Sequence, residues 1–272
     1  MSKAQELFDL TGRVAVITGG TGLLGQQHAA IIADAGGIPV LADIRSLDAD
    51  ELRDRFGTSA CSLIVDITQK SEVEKFTAEV LQRFGRIDIL INNAANNPKV
   101  EAPGQLAKSR LEHFSIDQWN ADLAVGLTGA FLCSQVIGAE MARKKRGVII
   151  NIASDLAVIA PDQRLYREEG LPEEQQPAKP VSYSVVKTGL IGLTRYLATY
   201  WAADGVRVNA LSPGGVYNQQ PEEFVQRIAK LIPMGRMAGL SEYQGALLFL
   251  CADASSYMTG ANLVIDGGRS CW

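Results

Sequence analysis

The sequence predicts an α/β fold in which a doubly wound parallel sheet carries helices on both faces. Short apolar runs rich in β-branched residues alternate with segments of helical periodicity along the 272 residues. Runs that are apolar throughout indicate strands buried on both faces, which is typical of parallel sheets. With 47% hydrophobic and 21% charged residues, the chain is long enough for one large core. We therefore expect a single domain over residues 1–272.

The predicted elements follow one another in the order that such a sheet requires. Strands are expected at residues 14–18, 38–42, 62–65, 87–91, 148–152, 206–211 and 262–265. Helices are expected at residues 23–35, 70–84, 118–143, 181–203 and 242–250. Two longer connections, around 96–114 and 155–182, are expected as insertions near the substrate site, and residues 168–180, rich in Glu, Gln and Pro, as a loop.

Composition excludes several classes of function. The net charge of −4 argues against a protein that binds nucleic-acid phosphates. The cysteines and histidines lack metal-ligand spacing, so we expect neither a metal nor a disulfide framework; they are Cys61, Cys133, Cys251, Cys271, His28 and His113. Residues 1–10 show no signal-peptide pattern, and no apolar run reaches the roughly 20 residues that span a bilayer. We expect a cytoplasmic protein that does not enter the membrane.

A glycine-rich turn, Thr-Gly-Gly-Thr-Gly-Leu-Leu-Gly at residues 18–25, joins the first predicted strand to the first helix. Glycine lets the backbone approach a pyrophosphate, and the helix N-terminus supplies free N–H groups. A tight connection without a ligand is the alternative, but the position at the first βα turn favours a dinucleotide. The predicted contacts are Gly19, Thr21, Leu24 and Gly25.

Acidic residues follow the next two strands. Asp43, 18 residues after Gly25, can accept hydrogen bonds from the adenosine ribose and would repel a 2′-phosphate, which favours NAD over NADP. Arg45 could soften that repulsion, and a surface salt bridge is the alternative for either residue. Asp66, with Ile67 beside it, is placed either to reach the adenine amino group or to cap the following helix.

Tyr183 and Lys187 stand four residues apart in a predicted helix and therefore share one of its faces. An ammonium group there can lower the pKa of the phenol and allow it to act as an acid or base near neutral pH. An ordinary, partly solvated helix face is the alternative. Ser154, after the predicted strand 148–152, is the third candidate, and a solvent-facing serine is its alternative.

Taken together, these motifs resemble the short-chain dehydrogenase/reductase family over residues 13–268. The matching segments are Asn92-Asn-Ala-Ala95, Asn151-Ile-Ala-Ser154, Tyr183-x-x-x-Lys187, Val-Asn-Ala-Leu-Ser-Pro-Gly at 208–214, and Asp266-Gly-Gly268. The resemblance implies that Tyr183 transfers the proton on the substrate oxygen and that Ser154 hydrogen-bonds this oxygen. Lys187 would bind the nicotinamide ribose and depress the pKa of Tyr183.

The same resemblance implies further cofactor contacts and an assembly. Asn93 and Ala94 would pack beside the adenosine, whereas Pro213, Gly214 and Val216 would line the nicotinamide pocket. Asn218 stands where the family usually has a threonine and still offers a donor and an acceptor. Pairing of the long helices and of the C-terminal strand region implies a homotetramer.

Three departures from the family pattern bear on function. The spacing of the glycine turn is similar to that of the extended, sugar-nucleotide-modifying branch. Gly126 replaces the usual asparagine of a proton relay; we expect a helix kink and a backbone carbonyl to preserve the relay, and an impaired catalyst is the rival hypothesis. Ser154 and Tyr183 lie 29 residues apart (183 − 154), so residues 155–182 must loop out over the substrate side.

The second insertion carries Lys99, Lys108, Arg110 and His113 and should border the same opening. The two insertions predict a roomy pocket for a polar substrate, phosphorylated or nucleotide-linked compounds included; two solvated loops are the alternative.

The sequence thus predicts an NAD-dependent oxidoreductase that interconverts a secondary alcohol and a ketone of a carbohydrate-like substrate through Ser154, Tyr183 and Lys187. A 3-oxoacyl thioester reductase is the alternative, against which Asp43 counts because such reductases usually take NADPH. An alternative of another class is a catalytically silent dinucleotide-binding sensor or assembly partner, which Gly126 alone favours.

Overall fold

The computed structural model of the chain describes residues 2–96 and 106–272. Within these residues seven parallel strands form one sheet in the order β3-β2-β1-β4-β5-β6-β7. The strands are β1 Val14–Thr18, β2 Ile38–Asp43, β3 Cys61–Ile64, β4 Ile89–Asn92, β5 Gly147–Ile152, β6 Val206–Pro213 and β7 Asn262–Ile265. The order reverses beside β1, as in a doubly wound sheet, and the predicted fold class is confirmed.

Helices cover both faces of the sheet. They are α1 Lys3–Phe8, α2 Leu23–Asp34, α3 Ala49–Phe56, α4 Lys70–Phe84, α5 Ile116–Leu123, α6 Gly129–Arg143, α7 Val181–Tyr200, α8 Glu222–Ala229 and α9 Gln244–Cys251. The helix expected over 118–143 begins at Ile116, and a π-helical segment, Ala124–Thr128, separates its two parts, α5 and α6. Helices α1, α3 and α8 were not predicted from the sequence.

Alternate residues of each strand enter different apolar layers. Val16, Leu90 and Ile149 pack on one face with residues of α4, α6 and α7. Ile17, Ile91 and Ile150 pack on the other face with residues of α2 and α9. Both layers are fully buried, which explains why the strands are apolar throughout.

The insertion at 155–182 is ordered by short 3₁₀ turns at Asp155–Ala157, Gln163–Tyr166 and Glu173–Gln175. Leu165 is buried in an apolar cluster with Ile228, Ile232 and Met237, so this insertion packs on α8. The alternative of a solvated loop therefore fails around Leu165, whereas residues 167–170 and 172–175 are exposed to solvent.

The two insertions contact each other. Residues 97–105, with Lys99, lie outside the described residues. In the remainder, Arg110 Nη1 donates to the carbonyl of Glu173 at 2.7 Å, and the Ala178 N–H donates to Ser109 Oγ at 2.9 Å. The described parts of the two insertions are therefore neighbours, and the expectation that both border the substrate opening stays a prediction.

The helix from Ile116 to Arg143 is long and apolar enough, by length and composition, to cross a membrane. In the fold its second half contacts α4, β4, β5 and β6, and residues such as Cys133, Ile137 and Met141 are buried. Its apolar composition is thus explained by packing against the sheet.

Candidate active site

Ser154, Tyr183 and Lys187 come from two elements at the carboxyl edge of the sheet. Ser154 lies two residues beyond β5, and Tyr183 and Lys187 lie on the first turns of α7. Ser154 is only 4% exposed, so the alternative of a solvent-facing serine is wrong. Lys187 is buried, and its Nζ donates to the carbonyl of Ile152 at 2.7 Å. This bond holds the ammonium at the end of β5, and 5.8 Å separates Nζ from the centre of the Tyr183 ring.

A buried polar network fixes the two elements relative to each other. Asn92 of β4 donates to Asn151 of β5 at 2.8 Å and to Ser134 of α6 at 3.1 Å. Asn151 in turn donates to Thr194 of α7 at 2.8 Å. Hydrogen bonds between buried groups are strongly directional, so this network sets the position of α7 and hence of Tyr183.

The pKa of Tyr183 is raised by burial, lowered by a hydrogen bond with Ser154, and raised by the charge of Asp155. Burial and, to a smaller extent, the nearby charge of Lys179 lower the pKa of Lys187 to about 8. The predicted depression of the Tyr183 pKa is thus wrong for the protein alone, because burial outweighs the hydrogen bond. At neutral pH the phenol is protonated.

Two side chains of the insertion influence the phenol, Lys179 by contact and Tyr166 electrostatically, and neither was predicted from the sequence. Lys179 Nζ lies 3.9 Å from the centre of the Tyr183 ring, and burial lowers the pKa of Lys179 to about 8. Burial raises the pKa of Tyr166 to about 12, with the charges of Tyr183 and Asp155 acting in the same direction. The spacing could have revealed Lys179, since it stands four residues before Tyr183 as Lys187 stands four after.

An ion pair adjoins Ser154 and was also missed. Ser154 Oγ donates to Asp155 Oδ1 at 2.9 Å, and Arg269 Nη1 donates to Asp155 Oδ2 at 2.8 Å. The ion pair joins residues 114 positions apart, so no local sequence pattern predicts it.

Gly126, in place of the family's asparagine, lies in the π-helical segment. π-helical segments often mark functional sites, and the expected kink and proton relay at Gly126 stay predictions. A Cβ at position 126 would lie 2.6 Å from Val186 Cγ1, so Val186 takes the space that a side chain would need. Gly126 also lines a cavity of about 10 Å³ together with Asp122, Ser182 and Lys187. That volume is about the size of one water molecule.

The glycine turn has the shape of an anion site. Gly19 has a φ of +61°, and a Cβ on Gly25 would lie 2.2 Å from the Gly19 carbonyl oxygen, so only glycine allows the helix to start this close to the turn. Gly22 is the N-cap of α2 and provides no side-chain hydrogen bond. The first N–H groups of α2, including that of Leu24, therefore have no capping side chain and fit a pyrophosphate.

Asp43 lies at the end of β2 beside this turn. Its Oδ2 accepts hydrogen bonds from the Thr21 N–H at 3.1 Å and the Thr21 hydroxyl at 2.8 Å. Oδ1 accepts none from the part of the chain that the structure describes. The carboxylate is thus oriented by Thr21 and retains one oxygen for a ribose hydroxyl.

The remaining predicted adenosine contacts lie at the ends of β3 and β4. Asp66 Oδ1 accepts from the N–H and hydroxyl of Thr68, and the N-cap of α4 is Gln69, so the alternative of Asp66 as helix cap is wrong. Ile67 is buried. The Asn93 amide donates to the carbonyls of Thr18 and Gly19, and this brings it and Ala94 against the turn.

The predicted nicotinamide contacts lie at the end of β6. Pro213 is its last residue, and the Gly214 N–H donates to the Ile265 carbonyl at 2.8 Å. Val216 forms an isolated bridge with Ala238. Asn218 is exposed, and its N–H donates to the Gln220 side chain. All four residues lie on the same edge of the sheet as Ser154.

Comparison with known proteins agrees with this geometry. Residues 13–166 match a family model described as short chain dehydrogenase. Residues 172–270 match one described as Enoyl-(Acyl carrier protein) reductase.

Curated relatives match over almost the whole chain. An NAD-dependent glycerol dehydrogenase of Listeria innocua is 33% identical, with 96% of this chain and 95% of that protein covered. A D-threitol dehydrogenase of Mycolicibacterium smegmatis is 32% identical, with 98% of both covered. A solved gluconate 5-dehydrogenase of Burkholderia cenocepacia, in complex with NADP and tartrate, has a TM-score of 0.85 and 29% identity, with 99% of both chains covered.

Proposed function

Because this chain belongs to the short-chain dehydrogenase/reductase family and is an oxidoreductase of CH–OH groups with a nicotinamide cofactor, we propose that it is an NAD-dependent dehydrogenase of a sugar or polyol. The placement of Ser154, Tyr183 and Lys187 at one edge of the sheet is the observation that carries the chemistry. The substrate class and the choice of NAD are supported by the observations that follow.

The three side chains suit proton transfer at a carbinol oxygen. When bound, the nicotinamide exchanges a hydride with the substrate carbon. The Tyr183 hydroxyl exchanges the proton with the substrate oxygen, and the Ser154 hydroxyl fixes that oxygen beside it. Lys187, held by the Ile152 carbonyl, places a positive charge near the phenol and stabilises its ionised form. The burial of Ser154 and Lys187 and the partial burial of Tyr183 strengthen these interactions.

The polar character of the insertion favours a polyhydroxylated substrate over an acyl chain. Lys179 contacts the phenol ring from this side, and Tyr166 belongs to the same insertion. Both are polar groups that an acyl chain cannot use. Relatives named for glycerol, D-threitol and gluconate dehydrogenation point to the same class.

Asp43 supports NAD as the preferred cofactor, because its carboxylate would meet the 2′-phosphate of NADP. Relatives and solved structures include both NAD and NADP proteins, so this preference needs its own test. We expect tighter binding of NADH than of NADPH by at least about tenfold, and Asp43→Asn should reduce that ratio. Fluorescence titration measures both constants. Asp48→Asn, in the exposed N-cap of α3, is the matched control and should leave the ratio unchanged.

The reaction is tested by measuring the absorbance of reduced nicotinamide while the protein is incubated with candidate substrates. These are polyols, sugar acids, sugar phosphates, nucleotide sugars and 3-hydroxyacyl thioesters. We expect turnover with a polyhydroxylated compound and about a thousandfold less with Tyr183→Phe. Turnover confined to thioesters would replace the proposal by the acyl reductase. Tight NADH binding with no turnover on any compound would favour the sensor.

We further infer a homotetramer in which α6 and α7 form an interface. Large apolar side chains on these helices are exposed: Phe131, Val185, Tyr196 and Tyr200. Such a patch is typical of a surface that a partner covers. Light scattering at micromolar concentration is expected to give four times the chain mass, and a monomer would contradict the inference. A single domain and a cytoplasmic location remain predictions.

A further inference from the structure

A buried ion pair connects the C-terminal end of the described chain to the residue next to Ser154. Arg269 and Asp155 are joined at 2.8 Å, and their side chains are 8% and 4% exposed. Two charges withdrawn from water in this way carry a large desolvation cost, which only good geometry and further hydrogen bonds offset. The pair is therefore a poor device for stability alone, and its position beside the active site suggests another role.

The segment Asp266-Gly-Gly268 immediately precedes Arg269 and fixes its position. The Asp266 carboxylate accepts the N–H groups of Gly268 at 2.9 Å and Ser270 at 2.7 Å. Gly268 has a φ of +88°, and a Cβ on Gly214 would lie 2.8 Å from the Asp266 Cα. The turn thus packs closely on the end of β6. It places Arg269 against Asp155, the residue next to Ser154.

The other oxygen of the Asp155 carboxylate binds Ser154. Asp155 Oδ1 accepts the Ser154 hydroxyl at 2.9 Å and the Leu156 N–H at 2.8 Å. A hydroxyl has a single proton, so Asp155 competes with Tyr183 for the one hydrogen bond that Ser154 can donate. A hydrogen bond with Ser154 lowers the pKa of Tyr183, which is the effect of a serine that donates to the phenol oxygen.

We propose that Asp155 and Arg269 are positioning residues of the reaction: the guanidinium fixes the carboxylate, and the carboxylate accepts the Ser154 hydroxyl and thereby holds the Ser154 side chain beside Tyr183 until the substrate oxygen takes its place as acceptor. The proposal deepens the proposed function and rests on it only in taking Tyr183 as the proton-transfer group. It also assigns a purpose to the Asp266-Gly-Gly268 motif, which the sequence left without one.

The charges around both groups predict the signs of the effects. Tyr183 is faced by Lys179, Lys187, Asp155 and Tyr166. Asp155 is faced by Arg269, Lys179, Tyr166 and Tyr243. Since the charge of Asp155 raises the pKa of Tyr183, its removal should lower that pKa. Removal of Arg269 leaves the negative charge of Asp155 without its partner and should raise the pKa of Tyr183.

The test compares Asp155→Asn, Arg269→Met and Arg269→Lys. Tyrosinate absorbance is followed against pH, and the same variant carrying Tyr183→Phe is subtracted to isolate Tyr183. We expect the Tyr183 midpoint to fall by about 1 in Asp155→Asn and to rise by about 1 in Arg269→Met, with no change in Arg269→Lys. NADH fluorescence checks that each variant is folded. The pH profile of kcat/KM should move in the same directions.

Midpoints that stay at the wild-type value, or that move in the same direction in Asp155→Asn and Arg269→Met, would overturn the proposal and leave the pair a structural feature. If Arg269→Met does not fold, the near-isosteric Asp155→Asn and the charge-conserving Arg269→Lys decide alone. The absorbance titration needs no substrate. Failure of the polyol assay with midpoints that move as expected would therefore remove the proposed substrate class and leave this inference intact.

Discussion

The glycine turn and the insertion at 155–182 border the same edge of the sheet but are held in place by different kinds of contact. The turn depends on backbone atoms in close approach, as between Gly25 and the Gly19 carbonyl. The insertion depends on side chains that meet across long sequence distances, such as Asp155 with Arg269 and Leu165 with Ile228. The comparison teaches that the cofactor side follows from local rules, whereas the substrate side depends on the completed fold.

Tyr183→Phe should produce the largest effect and separate the two regions most sharply. It removes the proton donor and leaves the glycine turn untouched, so turnover should fall about a thousandfold while NADH binding changes little. Steady-state kinetics and fluorescence titration measure the two quantities. A parallel loss of NADH affinity would show that the phenol supports the cofactor as well, and the separation of the two regions would fail.

Gly25→Ala should damage the cofactor side first. The added Cβ would lie 2.2 Å from the Gly19 carbonyl oxygen, and backbone must move to relieve the contact, at about 2 kcal/mol of stability. We expect at least tenfold weaker NADH binding in a titration. Gly192→Ala is the matched control, because a Cβ there meets nothing within 4 Å. Equal NADH affinity in both variants would contradict the close-approach argument.

Leu165→Ala tests whether the insertion is part of the core. Because Leu165 is 4% exposed and packs with Ile228, Ile232 and Met237, the change should lower the free energy of unfolding by about 3 kcal/mol. Chemical denaturation measures it, with Leu111→Ala in the other insertion as control, since Leu111 is 72% exposed. A loss of substrate affinity with unchanged global stability would mean that the insertion opens independently of the sheet.

Lys179→Met should give the smallest effect, one that depends on pH. Burial lowers the pKa of Lys179 from 10.5 to about 8 in the folded chain. Between these values the unfolded chain binds more protons, so the wild-type free energy of unfolding rises with pH. Below pH 8 the variant should be more stable than wild type by about 1 to 2 kcal/mol, and this difference should shrink above pH 8.

Denaturation at several pH values measures this difference. Lys75→Met, at an exposed position of α4, is the control and should change stability little at any pH. A Lys179→Met variant that is less stable than wild type below pH 8 would mean that the contact with the Tyr183 ring outweighs the burial of the charge.

The extent of successful sequence prediction follows the same division. The strands around the glycine turn are buried on both faces and therefore carry a continuous apolar signal, and β1 was predicted at its observed limits. Helices α3 and α8 were missed because each is short and buries few residues, Leu52 and Phe56 in α3 and Ile228 in α8. Family motifs identified Ser154, Tyr183 and Lys187. The pairing of Asp155 with Arg269 depends on the path of the C-terminal segment, which no local pattern specifies.

The contact between Gly126 and Val186 restricts the order in which substitutions can accumulate. An asparagine at position 126 would place its Cβ 2.6 Å from Val186 Cγ1, so the Val186 side chain or α7, the helix that carries Tyr183, would have to shift. A smaller side chain at position 186 removes this obstacle. The family's usual asparagine is therefore costly here as a single substitution and less costly after Val186 has changed: the size of one neighbour sets the order in which the two substitutions are tolerated.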